Sequence, residues 1–151
     1  MSKPTVGFAT MAVFAVAILL SVSLFANGVF MLINPALWYT EVPGVARTGA
    51  FNQHFIRDIA ILYMIIGGAL LGGVLRREYS VMLWGTTALW LSGHAVFHVW
   101  EVMAGLCGPE TLIGDFPAVT LPALISVGLT VWALHTPQYS SQQNKGIHEE
   151  H

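Results

Sequence analysis

Val6 to Ile33 reads VGFATMAVFAVAILLSVSLFANGVFMLI, a run of Ala, Val, Leu, Phe and Met broken by Ser21, Ser23 and Asn27. A helix of this length outruns the roughly 30 Å of bilayer hydrocarbon at about 1.5 Å per residue. It also outruns the roughly 7–15 apolar residues of a cleavable signal peptide. The best small-residue cleavage position, after Ala26, has Leu24 where a small residue belongs, so the run reads as a retained span. Three more apolar runs follow, Phe51–Leu75, Val81–Leu106 and Phe116–His135, the last containing Pro122. Membrane helices tolerate such a proline where neighbouring groups satisfy the freed carbonyl.

Composition agrees. Hydrophobic residues make up 55% of the 151 residues and Asp, Glu, Lys and Arg only 9%, against about 25% charged residues in an average soluble domain. So few charges cannot coat a soluble surface, which excludes an ordinary cytosolic protein, a disordered chain and an electrostatic nucleic-acid binder. The mean hydropathy is +0.66. The single cysteine, Cys107, leaves no intramolecular disulfide.

The expected fold is therefore an all-α integral membrane four-helix bundle. Residues 1–135 form the four-span domain (about 6–33, 51–75, 81–106 and 116–135), and 136–151 form a polar cytoplasmic tail. Lys3, Arg76, Arg77 and Lys145 share one side, which the positive-inside rule makes cytoplasmic. Both termini are then cytoplasmic, with the 34–50 loop and the Cys107–Asp115 loop outside. Trp38, Tyr39, Tyr79 and Trp84 fit interfacial aromatic belts. A bacterial inner membrane is the expected location, and the bilayer, a membrane-protein partner or a second copy are the expected partners.

Polar residues inside the apolar runs carry the chemistry, because a charged group in hydrocarbon costs several kcal/mol and normally faces a bundle interior or cavity. His54 and Asp58 lie about 40° apart on the second span, and His94, His98 and Glu101 fit a sector of roughly 60° on the third. Asp58 and His98 are each about 25 Å from the Arg76–Arg77 turn, which brings them to one level in an antiparallel hairpin. His54, Asp58, His94, His98 and Glu101 are thus candidate ligands for a transition metal: iron with two histidines and a carboxylate, zinc or copper with three histidines. Haem b between His54 and His98 is a further option, though it needs no neighbouring carboxylates. There is no His-Glu-x-x-His, and the paired Glu-x-x-His of di-iron bundles is missing. The alternatives to a metal site are a structural clamp or a proton relay, with Arg57 snorkelling outward or pairing with Asp58.

Gly68 and Gly72 form a small-xxx-small pattern suited to close helix approach. The loop Asn34–Ala50 exceeds the usual 2–8 residues of a helix connection. It reads either as a lid with Tyr39, Glu41 and Arg47 at its mouth or as an interfacial anchor.

Arg57-Asp58-Ile59-Ala60 running into Tyr63-Met64-Ile65-Ile66-Gly67-Gly68-Ala69-Leu70-Leu71 resembles the Arg and the Gly- and Leu-rich second helix of the DoxX-like superfamily of small bacterial membrane proteins. The resemblance implies a four-helix membrane fold, and some members are associated with quinone-linked respiratory or thiol redox systems. No family motif maps onto His54, Asp58, His94 or His98. Two functions remain open: a membrane metal-binding protein acting as an oxidoreductase on a lipid, quinone or small apolar substrate, or a structural or transport-accessory subunit whose polar cluster holds helices together or relays protons.

The orientation has a direct check. In intact cells an impermeant thiol reagent should leave a Ser141→Cys variant unlabelled and should reach Cys107; labelling at position 141 from outside would reverse the topology.

Overall fold

The computed structural model describes residues 7–136. The expectations for Lys3, Lys145, the two termini and the polar tail lie outside the described residues. Those described are helical, with no strand among them.

α1 (Phe8–Ile33) ends where Pro35 disfavours helical backbone at Asn34. Asn34 then caps the short α2 (Pro35–Glu41), its Oδ1 accepting from Leu37 N at 3.2 Å. The expected loop 34–50 therefore contains a helix, and a tight turn at Val45–Arg47 follows it. Asn52 caps α3 (Gln53–Leu75) in the same way, accepting from Phe55 N at 3.1 Å. A single turn at Arg77–Tyr79 leads into α4 (Ser80–Met103). α4 stops in a Schellman arrangement: Gly105, at φ +73°, donates to Val102 O, and Leu106 donates to Glu101 O.

The last helical run begins earlier than the sequence suggested. α5 (Glu110–Asp115) passes through a π turn at Phe116–Thr120 into α6 (Leu121–His135). Pro109 pre-sets the backbone for the start. Pro117 has no N–H to continue a regular ladder, and the wider turn accommodates that gap.

Phe8–Ile33, Gln53–Leu75 and Glu110–His135 are long and apolar enough to cross a membrane. α4 matches them in length at 24 residues but falls short in apolarity.

α3 is the central helix, with α1 along one side and α4 along the other, while α6 lies against α4. Polar side chains reach its backbone from both sides. Ser21 donates to Gly67 O at 2.6 Å, Thr87 to Ile66 O at 3.3 Å and Trp84 Nε1 to Leu70 O at 3.0 Å. Trp84 is fully buried, not interfacial as expected, because Gly73 leaves room for its indole. Arg57 does not snorkel outward or pair with Asp58: its Nε donates to Leu32 O at 3.1 Å, at the end of α1. α1 and α6 meet near the Arg77 turn, where the Phe14 and Trp132 rings are 6.2 Å apart and Arg77 lies 5.3 and 5.8 Å from their centroids.

Of the expected pair of glycines only Gly72 sits at a close approach, where a methyl would lie 3.2 Å from Leu83 Cδ1. A methyl group on Gly28 would lie 2.7 Å from Ala60 O, and one on Gly67 3.0 Å from Ser21 O, whereas Gly68 faces open space. Gly28→Ala should therefore destabilise the protein by about 1–3 kcal/mol through overpacking. Gly68→Ala should be neutral or stabilising by up to about 1 kcal/mol through helix propensity. Unfolding of both variants in detergent measures the contrast.

Candidate functional site

Along α4, Trp84, Thr87, Leu91, His94, His98 and Glu101 recur at alternating spacings of three and four, one continuous inward seam. Trp84, Thr87 and Leu91 are buried. Past Leu91 the seam borders a cleft of about 1210 Å³, which His94, His98 and Glu101 line. The cleft reaches from the 42–50 segment at its mouth to Thr86 and Leu89 of α4 and Leu20 of α1. Phe55, Ile65, Leu89 and Phe97 line it and are exposed, so it also opens sideways between α3 and α4.

His98 Nδ1 lies 2.8 Å from Asp115 Oδ2, and the two side chains are only 17% and 26% exposed. An ionised carboxylate is acceptor-only, so this contact places the imidazole hydrogen on Nδ1 and leaves Nε2 able to accept a hydrogen bond or a proton. The His94 ring lies 4.7 Å from that of His98, nearly perpendicular to it, and parallel to Trp90 at 6.3 Å. Trp90 Nε1 is buried and has no hydrogen-bond partner among the described residues. The carboxylate of Glu101 makes no hydrogen bond or ion pair with them.

The five sequence candidates divide into two groups. His94, His98 and Glu101 face the cleft, while His54 and Asp58 are not among its lining residues. They form their own i, i+4 pair, His54 Nε2 to Asp58 Oδ2 at 3.3 Å, with side chains 90% and 58% exposed. The cause is rotational. Asp58 stands two residues from each of the buried Ile56 and Ala60, about 200° around the helix, so it points away from the core. Among the described residues no three of His, Cys, Asp and Glu are arranged to hold a metal ion. For iron, zinc or copper the cleft wall offers His94, the His98–Asp115 pair and Glu101, with no three of them grouped as one donor set. His54, the other histidine considered for haem b, is not among the residues that line the cleft with His98.

Sequence reasoning passed over Asp115 by leaving it in a connector. The helical run 110–135 carries it on α5 immediately before the π turn, and that turn sets it against His98. The usable signal was Pro109, which marks a helix start six residues earlier. Of the expected mouth residues, Tyr39 and Arg47 line the cleft and Glu41 does not. Tyr39 Oη donates to Gly49 O at 2.7 Å, tying down the covering segment. A methyl on Gly44, at φ +91°, would lie 3.7 Å from Asp115 Oδ1 and 3.8 Å from Arg47 Nη2, so this turn brings Arg47 near Asp115. Asn27 of α1 is occupied structurally, accepting from Trp38 Nε1 at 3.0 Å. Cys107 lines the same cleft.

Comparison with protein-family models, curated proteins and solved structures finds no match for this chain.

The two His–Asp pairs should differ energetically. A double-mutant cycle on His98→Ala and Asp115→Ala, read by unfolding in detergent, should give a coupling of about 1.5–3 kcal/mol, typical of a hydrogen bond to a charged group. The His54–Asp58 cycle should give less than about 1 kcal/mol, as for a solvated pair.

Proposed function

We propose that this is a membrane-embedded binding protein that takes a lipid, a quinone or another small apolar molecule into the cleft, its polar group held against His98 and Asp115. The observation that carries this reading is the 2.8 Å His98–Asp115 pair in the wall of a cleft of about 1210 Å³ that is otherwise mostly apolar. That volume suits a drug-sized or larger ligand. The sideways opening between α3 and α4 gives a lipophilic molecule a route from the bilayer.

The reading includes four crossings, with α4 as the third. Support comes from Met82, Val96 and Met103, on one face of α4 and all strongly exposed: an apolar stripe facing lipid, opposite the seam that carries the histidines. At about 1.5 Å per residue the helix is long enough to span. Arg76 and Arg77 put the tight turn and both termini on the cytoplasmic side, in the bacterial inner membrane that the DoxX-like resemblance implies.

Gly93 lines the cleft with open space around it, so Gly93→Phe should fill the cleft without disturbing the helices. Protein in neutral-lipid nanodiscs should bind the apolar fluorophore N-phenyl-1-naphthylamine saturably, with energy transfer from tryptophan. Gly93→Phe should abolish that binding while the unfolding temperature is retained. Equal binding by wild type and Gly93→Phe, after subtraction of empty nanodiscs, would defeat the reading and leave His98–Asp115 as a clamp between α4 and α5.

A further inference from the structure

The charges in the cleft select among apolar ligands. With both imidazoles neutral, the lining carries two carboxylates, Glu101 and Asp115, against one guanidinium, Arg47. Arg47 sits beside the Gly44 turn close to Asp115, and Asp115 is also engaged by His98. Glu101 is left as a half-buried carboxylate with no hydrogen bond or ion pair among the described residues. It stands in the last turn of α4, where the backbone dipole adds partial negative charge. Aromatic side chains line the cleft: Phe97, one turn before Glu101 on α4, and Trp38, Tyr39, Tyr63 and Trp90 elsewhere in it. Aromatic faces attract a desolvated cation through the ring quadrupole. A fatty-acid carboxylate or a phospholipid phosphate would meet an uncompensated like charge at Glu101 in a low-dielectric setting.

Resting on the cleft-binding reading above, we propose that the ligand is a lipophilic monocation, an ammonium or phosphonium centre shielded by aryl or alkyl groups. Glu101 supplies the counter-charge and the aromatic lining the walls. The apolar body enters between α3 and α4, and the charged centre settles at the level of the last turn of α4.

Tetraphenylphosphonium and tetraphenylborate have nearly the same size and shape and opposite charge, which makes them the appropriate probes. Binding is measured at pH 8 by tryptophan quenching and equilibrium dialysis, on protein in phosphatidylcholine nanodiscs corrected for protein-free discs. Tetraphenylphosphonium should bind saturably and at least tenfold more tightly than tetraphenylborate. Glu101→Gln should cost about tenfold in phosphonium affinity and narrow that ratio, while leaving the unfolding temperature unchanged. Gly93→Phe should abolish binding of all three probes. Equal or tighter binding of tetraphenylborate, or a ratio untouched by Glu101→Gln, would overturn the cationic class while naphthylamine binding keeps the cleft reading intact. Failure of all three probes to bind would remove the cleft reading and this proposal with it.

Discussion

A helix whose exterior is apolar has no water to satisfy its polar side chains, and this constraint organises the structure. Ser21, Thr87, Trp84 and Arg57 each end on a backbone carbonyl of a neighbouring helix. Three of those carbonyls belong to one stretch of α3, from Ile66 to Leu70. Such carbonyls already accept a helical hydrogen bond, and their second lone pair takes the incoming donor. The donors reach them because glycine lets the backbones close: Gly28 and Gly67 between α1 and α3, and Gly73 under the Trp84 indole. Polar satisfaction and tight packing are thus achieved by the same residues, and α3 is the helix on which both depend.

The same constraint explains where the site lies. The seam of α4 is continuous, but its residues change from Trp, Thr and Leu to His, His and Glu where the seam comes to border the cleft. Imidazoles and carboxylates are tolerable there because each faces a space instead of lipid. Asp115 is delivered to that space by the π turn at Phe116–Thr120, an irregularity of the kind that frequently accompanies functional positions. Trp90 and His94 form a flat wall between the packed half of the seam and the open half.

The long apolar helices were legible because length and composition alone specify them: α1, α3 and the Phe116–His135 part of the last run follow directly from the hydropathy of their segments. The all-helical class and the inward placement of His94, His98 and Glu101 were legible for a related reason, since spacing within one helix fixes which residues share a face. Spacing cannot fix how two helices are rotated against each other. His54 and Asp58 matched His98 in depth, yet Ile56 and Ala60 occupy the inward face of α3 and turn that pair outward. Asp115 escaped for a different reason: a polar stretch with two glycines and a proline resembles a connector, and only the π turn makes it continuous with α6.

The cluster of Phe14, Arg77 and Trp132 has a mechanical consequence. It ties α1, α6 and the α3–α4 turn together at one end, while towards the other end Arg57 ties α3 to α1 through Leu32 O and His98 ties α4 to α5 through Asp115. The walls of the cleft are therefore strung between two sets of fixed points. For a helix about 36 Å long, a tilt of about 5° about one set would displace the other end by about 3 Å, close to the width of a water molecule, so loosening either set reaches the gap between Ile65 and Leu89.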